Sequence, residues 1–444
     1  MKVLKFGGTS VGSAQRMQHV ASLICDGRKK IVVLSAMAGT TNSLIDISDC
    51  LFNKDVVNAS DIIAQLKKQY EIHVNSLYGT EEYKRKAWDW LNGCFERIES
   101  FLVGPFSIFE EKVVVAQGEL MSTGMMYYYL QEQGVPAVLL PALDFMRITK
   151  DVTPDSDYIK TKLQALLQEH PDTDLFITQG FICKNAFGEI DNLKRGGSDY
   201  TASIIGAAID AEEIQIWTDI DGLHNNDPRY VSNTTPVRQL NFDEAAKLAH
   251  FGAKILHPSC IMPARENNIP VRLLNTFDPQ APGTLISNSA EKGCIKAVAA
   301  KDNITYVKIK SLNVVPIHQF LSVVFNTFSQ YKTAIDMVTA SETGVSVTID
   351  DNSCLDEIVV ALQKYATVSV DTDMVIICVV GDLEWQNVGF EAKIVQALKD
   401  IPVRMISYGG SSSNVSLVMK AEDKAAALEA LNANLFLAGC GNNK

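Results

Sequence analysis

The first two thirds of the chain alternate short apolar runs with longer amphipathic segments. Four of the apolar runs are rich in β-branched or aromatic residues, and they lie at 30–37, 135–140, 174–181 and 213–221. Nearly continuous apolar strands of this kind suit a sheet that helices cover on both faces. The pattern therefore predicts an α/β fold for residues 1–290, an αβα sandwich with a mainly parallel sheet.

Residues 42–110 follow a different pattern. The segments 61–78 and 81–102 have helical periodicity and carry many charges. We interpret them as a helical insertion that could form a lid over a site.

A Pro- and Gly-rich stretch at 278–286 ends this region, and two related small units follow it. Residues 302–373 have the order of a βαββαβ unit, and residues 374–444 almost repeat that order without its last strand. The segment 294–301, before the first unit, could supply the missing strand. Two βαββαβ units after a large domain suggest a small-molecule sensor attached to an enzyme.

Composition narrows the class of protein. The 444 residues are 47% hydrophobic and 21% charged, which is typical of a soluble globular protein with two or three domains. The formal charge of -12, without a basic run, argues against nucleic acid or an anionic membrane as a partner. We see no signal peptide and no apolar run of membrane-spanning length.

The nine cysteines are scattered and form no C-x-x-C pair. This spacing argues against a zinc site and against a disulfide framework. A reducing cytoplasm fits such a chain best.

The loop after the first strand is the first candidate for chemistry. The run Val3–Phe6 reads as a strand and leads into Gly7 and Gly8, then Thr9 and Ser10. A glycine loop before a helix often holds phosphate, but a Walker A loop has its lysine after the last glycine, and here Lys5 precedes the glycines. On these residues alone, a phosphate cradle and a tight turn both remain open.

A second candidate is KRGGSDYTASIIGAAI at 194–209. Gly196 and Gly197 permit close backbone approach, and Ser198 or Asp199 can cap the helix that follows. Helix capping accounts for the serine and the aspartate, but not for an arginine and two glycines beside them. A helix N-terminus preceded by glycines is also a ready anion site.

Two further stretches carry polar side chains at strand ends. Glu119 in QGELMST (117–123) is expected between an apolar strand and a helix, where a carboxylate is often only a cap. The stretch 217–231 is rich in Asp and Gly, contains Arg229, and is followed by FGAKILHP at 251–258. Sites in open α/β sheets lie beyond the carboxyl ends of the strands, and several of these segments share that placement.

Taken together, these motifs resemble those of a known family. KFGGTSVG, VVLSAMAGTTN, GELMST, QGF, RGGSDYTA, TDIDG with DPR, and FGAKILHP occur here in the order found in aspartate kinases of the amino-acid-kinase fold. The two terminal units resemble the paired ACT domains of that family. The similarity covers essentially the whole chain, and no homoserine dehydrogenase portion follows, so the chain resembles the monofunctional form.

The resemblance implies a reaction in which ATP phosphorylates the side-chain carboxylate of L-aspartate, the first step towards lysine, threonine and methionine. That carboxylate, with a pKa of about 3.9, is already ionised at neutral pH, so the nucleophile needs no general base. The obstacle is an anion approaching a polyanion. Catalysis should therefore consist of charge neutralisation and in-line positioning, with Mg²⁺ bridging the phosphates.

The resemblance also implies roles for individual residues. The expected catalytic residues are Lys5 and Asp199, and the expected substrate pocket comprises Ser35, Thr41, Glu119, Phe181, Arg195 and Ser198. The expected nucleotide contacts are Lys5, Gly7, Gly8, Ser10, Thr218, Asp219, His224, Arg229 and Lys254. Lys5 would offset charge on the transferred phosphoryl group and Asp199 would orient the cationic groups. Glu119 fits the substrate ammonium, and the planar fork of Arg195 fits a substrate carboxylate. The protein ligands of Mg²⁺ stay open, and a contact of Asp199 with the metal through water is one alternative.

Three positions depart from the family's pattern. Lys194 stands where the family usually has glycine, and Asp191 and Asn192 replace a threonine pair. This loop is therefore differently shaped or carries an additional positive charge. His224 stands where a tyrosine often lies beside the adenine, which puts nucleotide stacking there in doubt.

Paired ACT units imply feedback by an amino-acid end product, with lysine the first candidate and threonine the second. The expected effector residues are Val314, Ile317, Asp336, Ser341 and Glu342. The carboxylates favour an ammonium ligand, but the loop at 314–319 lacks the serine and glycine that resembling lysine-sensitive enzymes carry there. Solvated surface carboxylates remain the alternative, with the ACT pair acting as a dimerisation module. We also expect a homodimer joined through these units, because exposed sheet edges are usually paired.

Two other functions remain open. The chain could be an amino-acid kinase for acetylglutamate or glutamate, although acetylglutamate offers no ammonium to Glu119. It could also be a catalytically silent amino-acid sensor, which the presence of Lys5 and Asp199 disfavours.

Overall fold

The computed structural model describes residues 1–194, 196–252, 258–289, 291–312 and 316–437. These residues form two compact units. The first comprises Met1–Leu223 with the described part of 256–289, and the second comprises the described parts of 224–255 and 290–444. The described part of 224–255, which was predicted to belong with residues 1–290, therefore packs with the C-terminal unit.

Strands and helices are numbered along the chain. The strands are β1 Lys2–Phe6, β2 Lys30–Leu34, β3 Ala137–Leu140, β4 Leu175–Gln179, β5 Ile182–Lys184, β6 Ile190–Asn192, β7 Ile214–Thr218, β8 Gln239–Asn241, β9 Val271–Asn275, β10 Thr284–Ser287, β11 Ile295–Ser311, β12 Met337–Ser341, β13 Gly344–Ile349, β14 Ala366–Gly381, β15 Met405–Ser407 and β16 Asn414–Lys420. The α-helices are α1 Ala14–Ile24, α2 Thr40–Phe52, α3 Val56–Leu77, α4 Glu81–Glu99, α5 Ile108–Glu132, α6 Ala142–Phe145, α7 Ser156–Gln168, α8 Gly197–Ala208, α9 Phe242–His250, α10 Met262–Glu266, α11 Ile317–Gln330, α12 Leu355–Gln363, α13 Phe390–Ala397 and α14 Lys424–Asn432.

The first unit is built on a mainly parallel sheet, as the apolar runs predicted. Its strands lie in the order β3-β4-β2-β1-β7-β9-β10, and only β10 runs antiparallel to its neighbour β9. All five residues of β2 and of β4 are buried, as strands covered on both faces require. Because β1, β2, β4 and β7 are parallel, the loops that follow them meet at one edge of the sheet.

The segment 42–110 is helical, as predicted. It contains most of α2, all of α3 and α4, and the start of α5. The buried residues of α3 recur at a spacing of three or four, the spacing of one helix face, and they are Ala59, Ile63, Leu66, Tyr70, Val74 and Leu77. This face contributes to the same apolar cluster as the sheet residues Leu4, Phe6 and Val32.

The strand expected before Glu119 is wrong. Residues 113–116 lie inside α5, and Glu119 is therefore near the middle of a helix rather than at its start. Three consecutive valines favour a strand, but a capping box between Ser107 and Glu110 starts the helix upstream of them. Burial of nearly every residue from 114 to 126 then outweighs their weak local preference.

The second unit contains one antiparallel sheet that serves both expected ACT repeats. Its six strands lie in the order β12-β13-β11-β14-β16-β15. The long strands β11 and β14 run through both halves, so that residues 295–301 pair with 376–381 at the second repeat. This is the position proposed for the segment 294–301. Each half has its own apolar cluster, one containing Val307 and Phe328 and the other Val375 and Leu428.

Within the described residues, no helix is both long and apolar enough to cross a membrane.

Candidate active site

A cleft of about 820 Å³ opens at the carboxyl ends of the central strands of the first unit. It brings together eight of the predicted site residues, namely Lys5, Gly8, Ser35, Thr41, Glu119, Phe181, Ser198 and Asp199. They come from β1, from the start of α2, from α5 and α8, and from the loops after β1, β2 and β4, so only the folded chain assembles them. A cavity of this size is ordinary for a small-molecule site.

Lys5 and Asp199 form an ion pair at this cleft. Lys5 lies near the end of β1, Asp199 lies in the first turn of α8, and Lys5 Nζ is 2.7 Å from Asp199 Oδ1. Both side chains are largely buried, with 11% and 14% of their side-chain surface exposed. Asp199 therefore holds a lysine ammonium at the mouth of the cleft, where it can meet an incoming anion.

The glycine loop after β1 lies directly against the loop after β2. A Cβ atom at Gly8 would be 2.7 Å from the carbonyl oxygen of Ala36, so only glycine fits this approach. The Ala38 N–H donates to the Gly8 carbonyl at 3.1 Å, and Gly7 lies beside Lys5 Nζ. The two loops thus form one continuous wall around the lysine.

Ser10 has a partner within the protein, and its role at the phosphate stays a prediction. Ser10 is fully buried, and its hydroxyl is 2.7 Å from the hydroxyl of Thr276. The hydroxyl is therefore used to fasten the glycine loop to the end of β9. Ser10 is not among the described residues that line the cleft.

Glu119 is buried at the floor of the cleft. Its Oε1 accepts a hydrogen bond of 3.2 Å from the Ala36 N–H, and its Oε2 is buried and has no hydrogen-bond partner among the described residues. Burial raises the pKa of this carboxyl from 4.5 to about 8. A buried carboxyl oxygen that has no donor in the protein can accept a hydrogen bond from a cationic group of a ligand.

The start of α8 differs from the expected cap. The cap residue is Gly196, with a φ of 74°, and no side chain caps the helix. Ser198 and Asp199 instead lie in the first turn and both line the cleft, so the capping interpretation of these two residues is wrong. The helix dipole favours an anion at this end of the cleft.

Phe181 is held in a strained conformation beside this turn. Its φ is 65°, which is uncommon for an aromatic residue, and its N–H donates to the Thr201 hydroxyl at 2.9 Å. A Cβ at Gly197 would be 2.6 Å from the Phe181 ring. Strain of this kind persists where the surrounding structure holds it and is frequent at functional sites.

Several supporting residues were missed by sequence reasoning. Ser122 donates to the Ser35 carbonyl at 2.7 Å, and the hydroxyls of Tyr70 and Thr40 are 2.9 Å apart. Gln179 donates to the Thr123 hydroxyl at 2.9 Å. These contacts hold the loop after β2 and the end of β4 against α5, and the start of α2 against α3. The motif GELMST contains Ser122 and Thr123, but it gave neither residue a role of its own. Nothing in the sequence singled out Tyr70.

Comparisons with known proteins agree with this geometry. The model of the amino acid kinase family matches residues 1–275, and an ACT domain model matches residues 377–435. Chloroplastic aspartokinase 1 of Arabidopsis thaliana is 33% identical, over 98% of this chain and 80% of its own length. The chain belongs to the aspartokinase family.

Two Escherichia coli comparisons extend this result. The lysine-sensitive aspartokinase 3 is 32% identical, over 98% of this chain and 99% of its own length. The crystal structure of aspartokinase III in complex with aspartate and ADP has a TM-score of 0.82 at 30% identity, and the match covers 98% of this chain and all of that one. The relationship to aspartokinases therefore spans both units and not only the kinase motifs.

The structure describes only some of the residues that are expected to contact the nucleotide. Thr218 and Asp219 lie at the end of β7, next to β1 and its glycine loop. His224 and Arg229 belong to the second unit, where Arg229 Nη2 is 2.6 Å from Asp227 Oδ2 and His224 Nδ1 is 2.8 Å from the Thr234 hydroxyl. Their contact with the nucleotide stays a prediction. Arg195 and Lys254 lie outside the described residues.

The effector residues do not form one group within the chain. Asp336 precedes β12, whereas Ser341 ends it and Glu342 lies in the turn beyond. An extended strand separates positions 336 and 341 by about 16 Å, so Asp336 and Ser341 do not meet at one point within the chain. Their contact with an effector stays a prediction. The Ser341 hydroxyl donates to the Gly344 carbonyl at 3.3 Å, Ile317 begins α11, and Val314 lies outside the described residues.

Asp336 already has a lysine and a histidine as partners in this chain. Its Oδ1 is 2.7 Å from Lys301 Nζ and 3.3 Å from His250 Nε2, and only 6% of its side chain is exposed. Its Oδ2 is buried and lacks a hydrogen-bond partner among the described residues. A ligand ammonium at Asp336 must therefore displace Lys301 or bind the other oxygen.

Proposed function

We propose that this chain is an aspartate kinase, which transfers the γ-phosphoryl group of ATP to the side-chain carboxylate of L-aspartate to give 4-phospho-L-aspartate. The observation that carries the proposal is the cleft that contains both the Lys5–Asp199 ion pair and the buried carboxyl of Glu119. The first supplies a fixed cation for a phosphoryl group and the second an acceptor for an amino-acid ammonium. An aspartokinase with a TM-score of 0.82 to this chain was crystallised with aspartate and ADP.

The chemistry needs little from acid–base groups. The aspartate side chain attacks as a carboxylate, the bond between the γ-phosphorus and the bridging oxygen of ATP breaks, and ADP leaves with the electron pair. No proton has to be removed from the nucleophile, because its ordinary pKa lies well below neutrality. Lys5, fixed by Asp199, offsets the charge where two anions meet, and Glu119 orients the amino acid through its ammonium.

The donor set of the cleft fits Mg²⁺ as a partner of the nucleotide. Within the described residues, no group of three or more His, Cys, Asp or Glu side chains could hold a metal ion. Mg²⁺ usually keeps several waters and binds one or two carboxylates together with substrate phosphates, so a protein cage is not required. When bound, the ion neutralises part of the phosphate charge. Asp199 is the carboxylate of the cleft nearest to Lys5, and it is already ion-paired.

A coupled assay of ADP release with aspartate, glutamate and acetylglutamate tests the proposal. We expect release with aspartate far above the other two. Acetylglutamate has no ammonium for the buried Glu119, and glutamate is longer by one methylene. Release only with acetylglutamate or glutamate would identify another amino-acid kinase, and no release with any of them would favour a silent sensor.

Feedback inhibition by lysine is the regulation that we propose for the ACT units, with threonine second. One support is the relative named a lysine-sensitive aspartokinase, 32% identical over nearly the whole chain. The other is the partly buried carboxyl of Asp336, whose only described ammonium and imidazole partners are Lys301 and His250. Within this proposal, free lysine competes with Lys301 for Asp336.

If free lysine competes with Lys301 for Asp336, substitutions of these two residues should change inhibition by lysine in opposite directions. Asp336→Asn should relieve inhibition, whereas Lys301→Met should lower the lysine concentration for half-inhibition by about tenfold, because it removes an internal competitor. The measurement is kinase activity titrated with lysine, with threonine and with both together.

Asp371→Asn is the matched control, since it breaks a different, exposed ion pair of the second unit, the one between Asp371 and Arg404. It should leave the titration unchanged. Equal inhibition of wild type and Asp336→Asn would exclude Asp336 as the effector carboxylate. Insensitivity to every candidate would leave the ACT pair as a dimerisation module.

A homodimer through the ACT units is likewise proposed. The outer strands β12 and β15 of the second unit's sheet each have one strand neighbour within the described residues. Such edges are usually paired or covered. Light scattering of the full chain should give twice the monomer mass of 48.7 kDa, and a monomer mass would refute the proposal.

A further inference from the structure

Lys194 is a wall residue of the active-site cleft that the proposed mechanism leaves unused. Together with Asn192, Gly196 and Ser198, it lines the cleft on the side of the loop before α8. Its side chain is exposed, and its ammonium forms no ion pair with any residue that the structure describes. Lysine stands here where the resemblance described above implies glycine.

The backbone of Lys194 adopts a conformation that favours glycine. Its φ is 59°, in the left-handed region. The Lys194 N–H donates to the Asn192 side chain at 3.4 Å, and its carbonyl accepts from the Gly197 N–H at 3.1 Å. The loop is further anchored by the Lys112–Asp191 ion pair of 2.8 Å and by a bond from the Leu193 N–H to the Phe181 carbonyl. The strain is thus imposed from both sides of the residue, and a glycine would relieve it.

The charges that line the cleft suggest a role for the Lys194 ammonium. The ammonium of Lys5 is paired with Asp199, and the remaining described carboxyls that line the cleft are Glu111 and Glu119. Both substrates of the proposed reaction are anions. Among the described residues of the cleft, Lys194 is the ammonium that no protein carboxylate already occupies.

We propose that Lys194 is a substrate-binding residue, whose ammonium pairs with a carboxylate of the bound amino acid. The inference rests on the proposed function. The acceptor is favoured over the phosphoryl group because the Leu193 N–H of this loop donates to the Phe181 carbonyl and the loop leads to Ser198. The proposed function assigns Phe181 and Ser198 to the amino acid, whereas it assigns Lys5 and the glycine loop to the phosphoryl group. The strained backbone at Lys194 lowers local stability, and the side chain adds a positive charge beside the bound amino acid.

Three substitutions separate charge from conformation. Lys194→Gly removes the charge and relieves the strain, Lys194→Ala removes the charge and keeps the strain, and Lys194→Arg keeps both. We expect aspartate to bind about tenfold more weakly to both neutral variants, the usual effect of losing a charge-assisted contact, and close to normally to the arginine variant. The Michaelis constant for ATP should change little, and the melting temperature of Lys194→Gly should equal or exceed that of wild type.

Calorimetric titration with aspartate, in addition to turnover, keeps this test independent of the reaction. If wild type binds aspartate but releases no ADP, the proposed function fails while the binding comparison still decides on Lys194. Normal aspartate affinity in Lys194→Gly would overturn the inference, as would a defect in Lys194→Ala that glycine corrects, since that pattern reports conformation. A fall in kcat with unchanged aspartate affinity would move the contact to the phosphoryl group and would also overturn it.

Discussion

Replacement of Lys5 by alanine should lower kcat by about 10²–10³-fold while the affinity for aspartate changes little, as expected for loss of a fixed charge that acts on the transition state. The reason is the position of Lys5 Nζ, 2.7 Å from Asp199 Oδ1 at the mouth of the cleft. Without the ammonium, Asp199 is a buried unpaired carboxylate facing an incoming anion, which adds repulsion to the lost attraction. Steady-state kinetics with both substrates varied measures the effect.

Two further variants separate catalysis from folding. Lys2→Ala removes another ion-paired lysine of β1, at the opposite end of the strand, where Glu213 keeps Arg272 as a second partner. It should leave kcat unchanged. The double variant Lys5→Ala, Asp199→Asn removes the unpaired carboxylate and should regain thermal stability without regaining kcat. Recovery of kcat in the double variant, or a rise in KM alone in Lys5→Ala, would refute the assigned role.

Aspartate binding should become tighter with rising pH and level off near pH 8. In the ligand-free protein burial raises the pKa of Glu119 to about 8, so at neutral pH most molecules carry it protonated. An ammonium binds the ionised form, and each binding event must therefore release a proton below pH 8. The apparent affinity should fall by close to tenfold for each pH unit below that value. Glu119→Gln should abolish this dependence and weaken aspartate much more than ATP.

The same carboxyl should destabilise the ligand-free fold. A raised pKa in the folded state means that the contribution of Glu119 is fully present below the unfolded pKa of 4.5 and is lost as the pH rises through about 8. At pH 7 the cost is of the order of 3 kcal/mol, which Glu119→Gln avoids. The variant should therefore melt several degrees higher than wild type at pH 7 to 8, with little difference near pH 4.5. Equal melting temperatures throughout, with an aspartate affinity independent of pH, would contradict the assignment.

The parts of the fold that sequence predicted are those in which local pattern and global packing agree. The strands β2 and β4 are buried at every residue, β1 and β7 are buried at most residues, and all four are followed by glycines or polar residues. The sequence therefore predicted both the strands and the edge that they share. Residues 113–116 could not, because three valines favour a strand while the capping box upstream and burial on all sides favour the helix. Local preference is weak compared with tertiary packing.

The site was predictable for side chains whose chemistry is tied to a motif, as for Lys5, Gly8 and Glu119. It was not predictable where the partner is distant in sequence. Nothing near Ser10 indicates that Thr276 takes its hydroxyl, and nothing near Asp336 indicates that Lys301 occupies it. The motif also could not show that Lys194 would be strained and without a protein partner in the described cleft. These pairings and this backbone conformation depend on contacts between residues that are distant in the sequence, and on how the sheet positions them.

Formation of an acyl phosphate from aspartate tests the central claim most directly. An acyl phosphate reacts with hydroxylamine to give a hydroxamate, which is coloured with ferric ion, so the product itself is measured rather than ADP alone. With ATP, Mg²⁺ and aspartate, the full chain should give hydroxamate and ADP in equal amounts. ADP without hydroxamate, or hydroxamate from another amino acid but not from aspartate, would contradict an aspartate kinase.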